Sequence, residues 1–213
     1  MNEGKQNDRI CAIFAGGPEQ GMPCLPVPED AYILCADSGL RLCERMGRKP
    51  DLVLGDFDSL GAVPEQLPHI VSPAEKDDTD TMLAMKKTLA QDCGEITVAC
   101  AFGGRLDHAF ANIQAGAYAA ERGAVVRLCG EDTEAWIFRD RSLAFPRRAG
   151  YSFSVFSLTD TCSATIAGAE YECRDLAIRN TFPVGVSNEW KEEQITVTAG
   201  GGILMVLESR MDH

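Results

Sequence analysis

Short apolar runs separated by helix-like stretches are the feature that most limits how this chain can fold. Five such runs occupy its first two-thirds: ICAIFA (residues 10–15), AYILCA (31–36), DLVLG (51–55), ITVACAF (96–102) and AVVRLC (124–129). Their nearly continuous apolar character predicts strands that are buried on both faces. Helical periodicity is predicted over 38–46, 80–91 and 107–122. This alternation predicts an N-terminal, Rossmann-like α/β domain with a parallel sheet, over residues 1–142.

The pattern changes after about residue 142. The later runs, among them YSFSVFSL (151–158), SATIAGA (163–169) and QITVTA (194–199), alternate apolar and polar residues and are separated by turn residues. This pattern, without a convincing helix, predicts a small C-terminal all-β sandwich domain over residues 143–213. Because so small a β unit has exposed edges, we expect it to pack on the first domain or on a second subunit.

Charge and cysteine content exclude several classes of function. A net charge of −12 argues against a nucleic-acid partner and against docking on anionic membranes. No apolar run approaches the roughly 20 residues that a membrane-spanning helix needs. The polar start and the nine cysteines, odd in number and without a CxxC pair, predict a cytoplasmic protein with reduced thiols. Cys11, Cys35, Cys100 and Cys129 are expected to be buried thiols in or beside strands.

Glycine or acidic residues follow the predicted strands. Gly16 and Gly17 follow the first strand, ADSG (36–39) ends the second, and GDFDS (55–59) ends the third. KDDTD (76–80) follows a strand predicted near residues 69–71, and GGRLDH (103–108) follows ITVACAF. The carboxyl ends of parallel strands meet at one edge of a sheet, where open α/β folds bind their ligands. We therefore expect these loops to converge on one crevice.

The aspartates of these loops have two interpretations. Asp37, Asp58, Asp78 and Asp107 each precede a helix-like stretch, where aspartate is a common N-cap. Capping needs one acid per helix, however, whereas GDFDS has two and KDDTD has three. Alternation along an extended segment would place Asp56 and Asp58 on one side and the intervening aromatic residue on the other. Mg²⁺ binds through a few carboxylates together with substrate phosphates, so the cluster predicts a magnesium site for a polyphosphate.

Several familiar phosphate-binding and catalytic motifs are missing from the chain. It contains no GxxxxGK[ST], no GxGxxG after a strand and no GxSxG. Nucleotide binding without those motifs has to use metal, glycine turns and a few basic side chains.

In this order the motifs ADSG, PDLVLGDFDS, KDDTD, GGRLDH and GVSNE resemble those of the thiamine pyrophosphokinase family. Order and spacing fit over nearly the whole chain, most strongly over residues 30–113. The resemblance implies an N-terminal α/β domain, a C-terminal β-sandwich and a homodimer. It implies transfer of a diphosphate from ATP to the hydroxyethyl group of thiamine, which gives AMP and thiamine diphosphate.

The resemblance also assigns expected roles to residues of the first domain. It implies Mg²⁺ ligation by Asp56, Asp58 and Asp80, which together with Asp77 and Asp107 form the expected catalytic set. ATP and its phosphates are expected to contact Gly16, Gly17, Asp37, Ser38, Lys76, Thr79, Gly104 and Arg105. Asp77 and Asp107 are alternative candidates for the carboxylate that orients the thiamine hydroxyl or accepts its proton.

In the second domain the resemblance implies that Ser187 and Asn188 contact thiamine, across the dimer interface. An aromatic residue is expected beneath the thiamine, and Tyr171 is the first candidate, with Trp190 as the substitute. The cationic ring of thiamine suits an aromatic face with acidic surroundings. Two alternatives to this function are a Mg²⁺-dependent phosphohydrolase with Asp56 as nucleophile and a nucleotide-binding module without turnover.

Overall fold

The structure is a computed structural model, and it describes residues 9–17, 25, 27–61, 65–72 and 78–211. It divides into two compact units, Met1–Ala119 with Val126–Glu131, and Ala120–Val125 with Asp132–His213. The fold is mixed α/β, as predicted. Within the described residues, no helix is long and apolar enough to cross a membrane.

The first unit holds three helices and a sheet whose strands are mostly parallel. Its strands are β1 (Arg9–Phe14), β2 (Tyr32–Ala36), β3 (Leu52–Gly55), β4 (His69–Val71), β5 (Cys93–Ala99) and β6 (Val125–Cys129). Its helices are α1 (Gly39–Arg45), α2 (Asp80–Leu89) and α3 (Leu106–Ala120). The strand order is β6-β5-β1-β2-β3-β4, and β1 pairs in parallel with both β2 and β5. The pairs β2–β3 and β3–β4 are parallel as well.

The strands of this unit are buried as their apolar runs predicted. Residues 11–14 of β1 and 33–36 of β2 are almost wholly buried, and their side chains pack with those of α1 in a common core. Burying such a side chain contributes about 1.5–3 kcal/mol. This is why nearly uninterrupted apolar runs are confined to the inner strands of the sheet.

The second unit contains only strands and turns among its described residues after β6. Its strands are β7 (Thr133–Arg139), β8 (Ser142–Pro146), β9 (Tyr151–Ser157), β10 (Thr161–Ala167), β11 (Cys173–Arg179), β12 (Gly185–Asn188), β13 (Gln194–Gly200) and β14 (Ile203–Arg210). They form two antiparallel sets, in the orders β12-β9-β14-β7 and β11-β10-β13-β8. Inward side chains from both sets share one core, which includes Phe145, Phe153 and Trp190.

One expectation about the cysteines is wrong. Cys11 is not a reduced thiol, since it forms a disulfide with Cys93, and the Cα atoms of the two residues lie 5.9 Å apart. Parallel pairing of β1 with β5 brings the two residues together although 82 positions separate them in sequence. Cys35, Cys100 and Cys129 are buried, as predicted.

Candidate active site

A cleft of about 510 Å³ lies at the carboxyl ends of the parallel strands of the first unit. Its walls come from the segments that follow β1, β2, β3 and β5 and from the amino-terminal parts of α2 and α3. Strands β2, β3 and β4 follow β1 in order toward one edge of the sheet, and the chain then returns so that β5 pairs with the opposite edge of β1. The order of the strands therefore reverses at β1, which is where open α/β sheets form their ligand crevice.

Three carboxylates form a compact group in this region. Asp37, directly after β2, and Asp56 and Asp58, after β3, each place one oxygen within 4.8 Å of the other two. The expected pairing of Asp56 with Asp58 is present. It arises through a turn rather than an extended segment, because the residue between them, Phe57, has a left-handed φ of 63° and is 3% exposed. Burial of this ring directs the two flanking carboxylates away from the core.

A serine hydroxyl lies between two of the three carboxylates. The Ser59 hydroxyl donates a hydrogen bond to Oδ2 of Asp37 at 2.6 Å and lies 3.0 Å from Oδ1 of Asp58. Oδ1 of Asp56 accepts the backbone N–H of Asp58 at 3.1 Å. This hydroxyl and this N–H supply far less positive charge than three carboxylates need at such short separation.

Asp37 is the most constrained member of the group. Its φ of 49° is left-handed, and its Oδ1 is buried without a hydrogen-bond partner within the described part of the chain. A buried acceptor without a partner is costly and is often found where a ligand binds. Gly55 permits this arrangement, since its φ is 152° and an added Cβ would lie 3.2 Å from Cα of Asp37.

The donors suit a hard divalent cation. Carboxylate oxygens from two neighbouring strand ends, one of them without a hydrogen-bond partner among the described residues, match the oxygen ligands that Mg²⁺ takes in proteins. Asp80, expected as the third ligand, lines the same cleft at the start of α2 but does not belong to the three-carboxylate group. Asp37 is the third carboxylate that the structure brings into this group, and ligation by Asp80 stays a prediction.

The acidic loop before α2 is described from Asp78 onward, so the predicted sites Lys76 and Asp77 lie outside the described residues. Asp78 lines the cleft and forms an ion pair with Lys86, whose Nζ lies 2.7 and 2.8 Å from its two oxygens. Capping of α2 is performed by Thr79, whose hydroxyl accepts the N–H of Met82 at 3.1 Å. The N-cap interpretation of Asp78 is therefore wrong.

Gly16 and Gly17 line the cleft after β1, as expected. A Cβ at Gly17 would overlap the carbonyl oxygen of Cys100, so only glycine fits between the ends of β1 and β5. Ser38 is the N-cap residue of α1 but makes no side-chain cap hydrogen bond. Gly16 and Gly17 therefore bring backbone without a side chain to the wall of the cleft.

Arg105 and Asp107 at the start of α3 pair with each other. Nε and Nη2 of Arg105 lie 3.1 and 2.5 Å from the two oxygens of Asp107, and both side chains are largely exposed. The hydrogen bond from Arg105 lowers the pKa of the Asp107 carboxyl, and the carboxylate in turn raises the pKa of the Arg105 guanidinium. Gly104 and Arg105 line the cleft with His108.

Asn112 is a cleft residue that the sequence analysis missed. It is 8% exposed, and its Nδ2 donates a hydrogen bond to the carbonyl of Ala101 at 2.9 Å, which ties α3 to the segment after β5. It lies four positions after His108, on the same face of the helix. A polar residue at that spacing in an alanine-rich helix is the signal that could have identified it.

The expected thiamine-binding residues belong to the second unit and have contrasting environments. Tyr171 is 72% exposed, whereas Trp190 is 6% exposed. The Trp190 indole donates to the carbonyl of Phe145 at 3.2 Å and packs edge-on against Phe153, so Trp190 is a core residue. Asn188 is buried as well, while Ser187 is exposed with a left-handed φ of 58°.

Clustered carboxylates, an open glycine backbone and an arginine around a switch-point crevice suit the handling of phosphate groups. The known proteins that this chain matches are kinase-type transferases. The family model described as "Thiamin pyrophosphokinase, catalytic domain" matches residues 27–128, which include the three-carboxylate group and the start of α3.

Thiamine pyrophosphokinases from other organisms are similar to this chain over almost its whole length. The thiamine pyrophosphokinase of Bacillus subtilis (strain 168) is 27% identical over 208 residues, which cover 92% of this chain and 97% of the relative. The solved thiamin pyrophosphokinase of Geobacillus thermodenitrificans is 26% identical, with a TM-score of 0.79 and coverage of 95% of this chain and 98% of that one. The solved B. subtilis enzyme, 24% identical with a TM-score of 0.84, covers 96% and 100% and supports the fold. This chain is therefore similar to thiamine pyrophosphokinases over almost its whole length, and the family model of their catalytic domain matches residues 27–128.

Proposed function

We propose that this protein transfers a diphosphate group from ATP to the hydroxyethyl group of thiamine, producing thiamine diphosphate and AMP. The observation that carries the proposal is the three-carboxylate group Asp37, Asp56 and Asp58, of which Asp37 and Asp56 line the switch-point cleft, inside the segment that the family model matches. The phosphohydrolase and the non-catalytic module are not favoured, because the family model and the relatives are thiamine pyrophosphokinases.

Mg²⁺ would be held by Asp37, Asp56 and Asp58, with Asp80 as the further predicted ligand. Oδ1 of Asp37 is buried and has no hydrogen-bond partner among the described residues, which supports this assignment, because a cation would balance its negative charge. When bound, the ion neutralises phosphate oxygens and favours departure of AMP. Ser59 keeps Asp37 and Asp58 oriented through its hydroxyl.

The remaining residues of the cleft would position the triphosphate. The backbone N–H groups near Gly16 and Gly17 are accessible to phosphate oxygens because neither residue has a side chain. Arg105 and Gly104 would approach from the α3 side, and Lys76, Thr79 and Ser38 keep their predicted phosphate contacts. In-line positioning of donor and acceptor is the main requirement of phosphoryl-type transfer.

Asp77 and Asp107 remain the two candidates for the group that orients the thiamine hydroxyl. The hydrogen bond from Arg105 lowers the pKa of Asp107, which keeps it ionised at neutral pH but makes it a weaker proton acceptor. Asp107 is therefore better suited to orienting the hydroxyl by accepting its hydrogen bond than to removing its proton.

The finer organisation follows the sequence-based prediction. Residues 1–142 would form the Rossmann-like ATP-binding domain, and residues 143–213 the sandwich domain for thiamine binding and dimerisation. Exposed apolar side chains in the second unit support a homodimer, because Phe182, Val184 and Val186 are 65%, 45% and 51% exposed. An ATP-consuming reaction also fits the predicted cytoplasmic location.

The test is identification of the nucleotide product after incubation with ATP, Mg²⁺ and thiamine. We expect AMP to form only when thiamine is present, with thiamine diphosphate in equal amount. The matched control is Asp160→Asn, which alters an exposed aspartate of the second unit, whereas Asp56→Asn should abolish AMP formation. Thiamine-independent release of phosphate would contradict the proposal in favour of hydrolysis, and absence of turnover would favour a binding module.

A further inference from the structure

The loop between β10 and β11 presents an exposed aromatic ring on a backbone that is firmly held. Tyr171 is 72% exposed, yet both its backbone polar groups bond to a single side chain. The Tyr171 N–H donates to Oδ1 of Asn188 at 3.0 Å, and Nδ2 of Asn188 donates to the Tyr171 carbonyl at 2.9 Å. An amide that bonds both groups of one residue fixes that residue as a β-ladder partner would.

These contacts use the Asn188 side-chain oxygen fully and one of its two amide N–H groups. Besides the Tyr171 N–H, its Oδ1 accepts the N–H of Glu189 at 2.9 Å, so both lone pairs of the oxygen are used. The residue is 6% exposed, and its backbone pairs with Phe153 of β9. Its side chain is therefore arranged to support neighbouring backbone rather than to face a ligand.

Further bonds hold the same loop. The Glu170 N–H donates to the Glu189 carbonyl at 2.9 Å, and Ala169 forms a β-bridge with the buried Trp190. At the start of the loop, the Gly168 N–H donates to Oε1 of Glu172 at 2.7 Å. These contacts flank the Tyr171 clamp on both sides, so little conformational freedom is left to lose when a ligand meets the ring.

Acidic residues close to Tyr171 and Asn188 in sequence favour a cationic ligand. Glu170, Glu172 and Glu189 are exposed acidic residues adjoining Tyr171 or Asn188 in sequence. An aromatic face in negative surroundings attracts a cationic ring through its quadrupole, and the attraction grows when the geometry is fixed beforehand. The proposed substrate thiamine carries such a ring.

We propose that Asn188 is a positioning residue, which clamps the backbone of Tyr171 so that its ring forms a preorganised platform for the cationic ring of thiamine. This inference rests on the proposed function, and it replaces the direct contact between Asn188 and thiamine that was expected from the sequence. Tyr171 touches the substrate, and Asn188 acts only through it.

The test compares Asn188→Ala, Tyr171→Ala and the double variant by steady-state kinetics and by thiamine titration calorimetry. Loss of the clamp should raise the KM and Kd for thiamine roughly tenfold, the scale of one or two net hydrogen bonds, and leave the KM for ATP unchanged. Because Asn188 acts through Tyr171, the double variant should bind thiamine no more weakly than Tyr171→Ala alone. Asn188→Asp keeps both acceptor bonds and should restore part of the loss.

The matched control is Thr159→Val, which removes two side chain–backbone hydrogen bonds, with Ile203 and Thr161, elsewhere in the same unit. It should lower thermal stability without raising the KM for thiamine. If Asn188→Ala does not fold, Asn188→Asp carries the same comparison. Additive losses in the double variant, or an unchanged KM in Asn188→Ala, would overturn the positioning role.

Amide hydrogen exchange separates this inference from the proposed function. The Tyr171 N–H should exchange slowly in the unaltered protein and at least tenfold faster in Asn188→Ala, whether or not thiamine is turned over. Fast exchange in the unaltered protein would overturn the clamp while leaving the proposed activity intact. Slow exchange without any thiamine binding would instead overturn the proposed function, and the thiamine platform with it.

Discussion

Polar side chains are hydrogen-bonded to different extents in the cleft of the first unit and in the Tyr171 loop of the second unit. Around the cleft, Asp37 keeps a buried oxygen without a partner in the described chain, and three carboxylates stand close together. In the loop, Asn188 uses both lone pairs of its oxygen on backbone N–H groups. Groups left unsatisfied, at an energetic cost, are those that await a ligand, whereas satisfied groups support the residues that meet one.

Neutralising one member of the carboxylate group is the strongest way to test that contrast. Asp37→Asn should reduce AMP formation by roughly 10³-fold, because removing a charged ligand loses several kcal/mol of stabilisation of phosphate charge. Thermal stability without Mg²⁺ should be unchanged or higher, since repulsion among carboxylates is relieved. Differential scanning fluorimetry with and without Mg²⁺ checks both parts. A large loss of stability would show that Asp37 is structural.

Asp80 provides the comparison within the cleft. Asp80→Ala is also expected to remove activity while leaving thermal stability nearly intact, although Asp80 lies outside the three-carboxylate group. Magnesium titration of the melting temperature should distinguish the two, with a larger loss of the Mg²⁺-induced shift in Asp37→Asn. Unfolding of Asp80→Ala would identify Asp80 as mainly structural.

The backbone geometry next to the carboxylates can be tested by replacing Gly55. Gly55→Ala forces a side chain into a φ of 152° and against Asp37, which should cost about 1–3 kcal/mol and reduce kcat several-fold. Gly47→Ala is the matched control, because its φ of 68° is also left-handed but no atom lies within 4 Å of the added Cβ. It should lower the melting temperature without changing kcat. Equal kcat in the two variants would contradict a role for Gly55 in shaping the site.

The sequence predicted the first unit better than the second for a physical reason. Strands buried on both faces leave a strong apolar signal, and parallel topology then brings their carboxyl ends together, so the place of the acidic loops followed from pattern alone. β7 was not predicted, because TEAWIFR carries charges at both ends and follows β6 after a short turn. The mixed α/β class was confirmed, and the proteins that the chain matches are those of the predicted family.

Details that depend on tertiary contacts could not be predicted. The resemblance placed Asp37 near this charge cluster, but no sequence pattern predicts the left-handed backbone of Asp37 that brings its carboxylate into the group. The supporting use of Asn188 depends on a loop 17 positions earlier in the chain. The Cys11–Cys93 disulfide depends on the pairing of β1 with β5. The predicted roles of Lys76 and Asp77 stay predictions.

Substitution of the buried Trp190 should affect stability rather than thiamine binding, in contrast to substitution of the exposed Tyr171. Trp190→Phe removes the hydrogen bond to the Phe145 carbonyl and leaves a small cavity, which should reduce the free energy of unfolding by about 1–3 kcal/mol. The KM for thiamine should not change, because Trp190 lies in the core. Urea denaturation and thiamine kinetics measure the two effects. A raised KM for thiamine with unchanged stability would indicate that Trp190, and not Tyr171, forms the platform for thiamine.

The smallest expected effect concerns the exposed pair at the start of α3. The guanidinium of Arg105 holds the pKa of Asp107 below its ordinary value of about 3.9, so Arg105→Met should raise that pKa, as a carboxyl NMR titration would show. A pKa depressed on folding stabilises the folded state above the unfolded pKa, and this contribution is lost as pH falls through the folded pKa. The melting temperatures of the two proteins should therefore differ slightly at pH 6 and converge as the pH falls below the lowered pKa of Asp107. Arg147→Met, which breaks an exposed pair with Glu193, is the control and should leave the pKa of Asp107 unchanged. If the Asp107 titration were the same with and without Arg105, the pair would not order this edge of the cleft, and Asp107 would regain the basicity of an ordinary carboxylate.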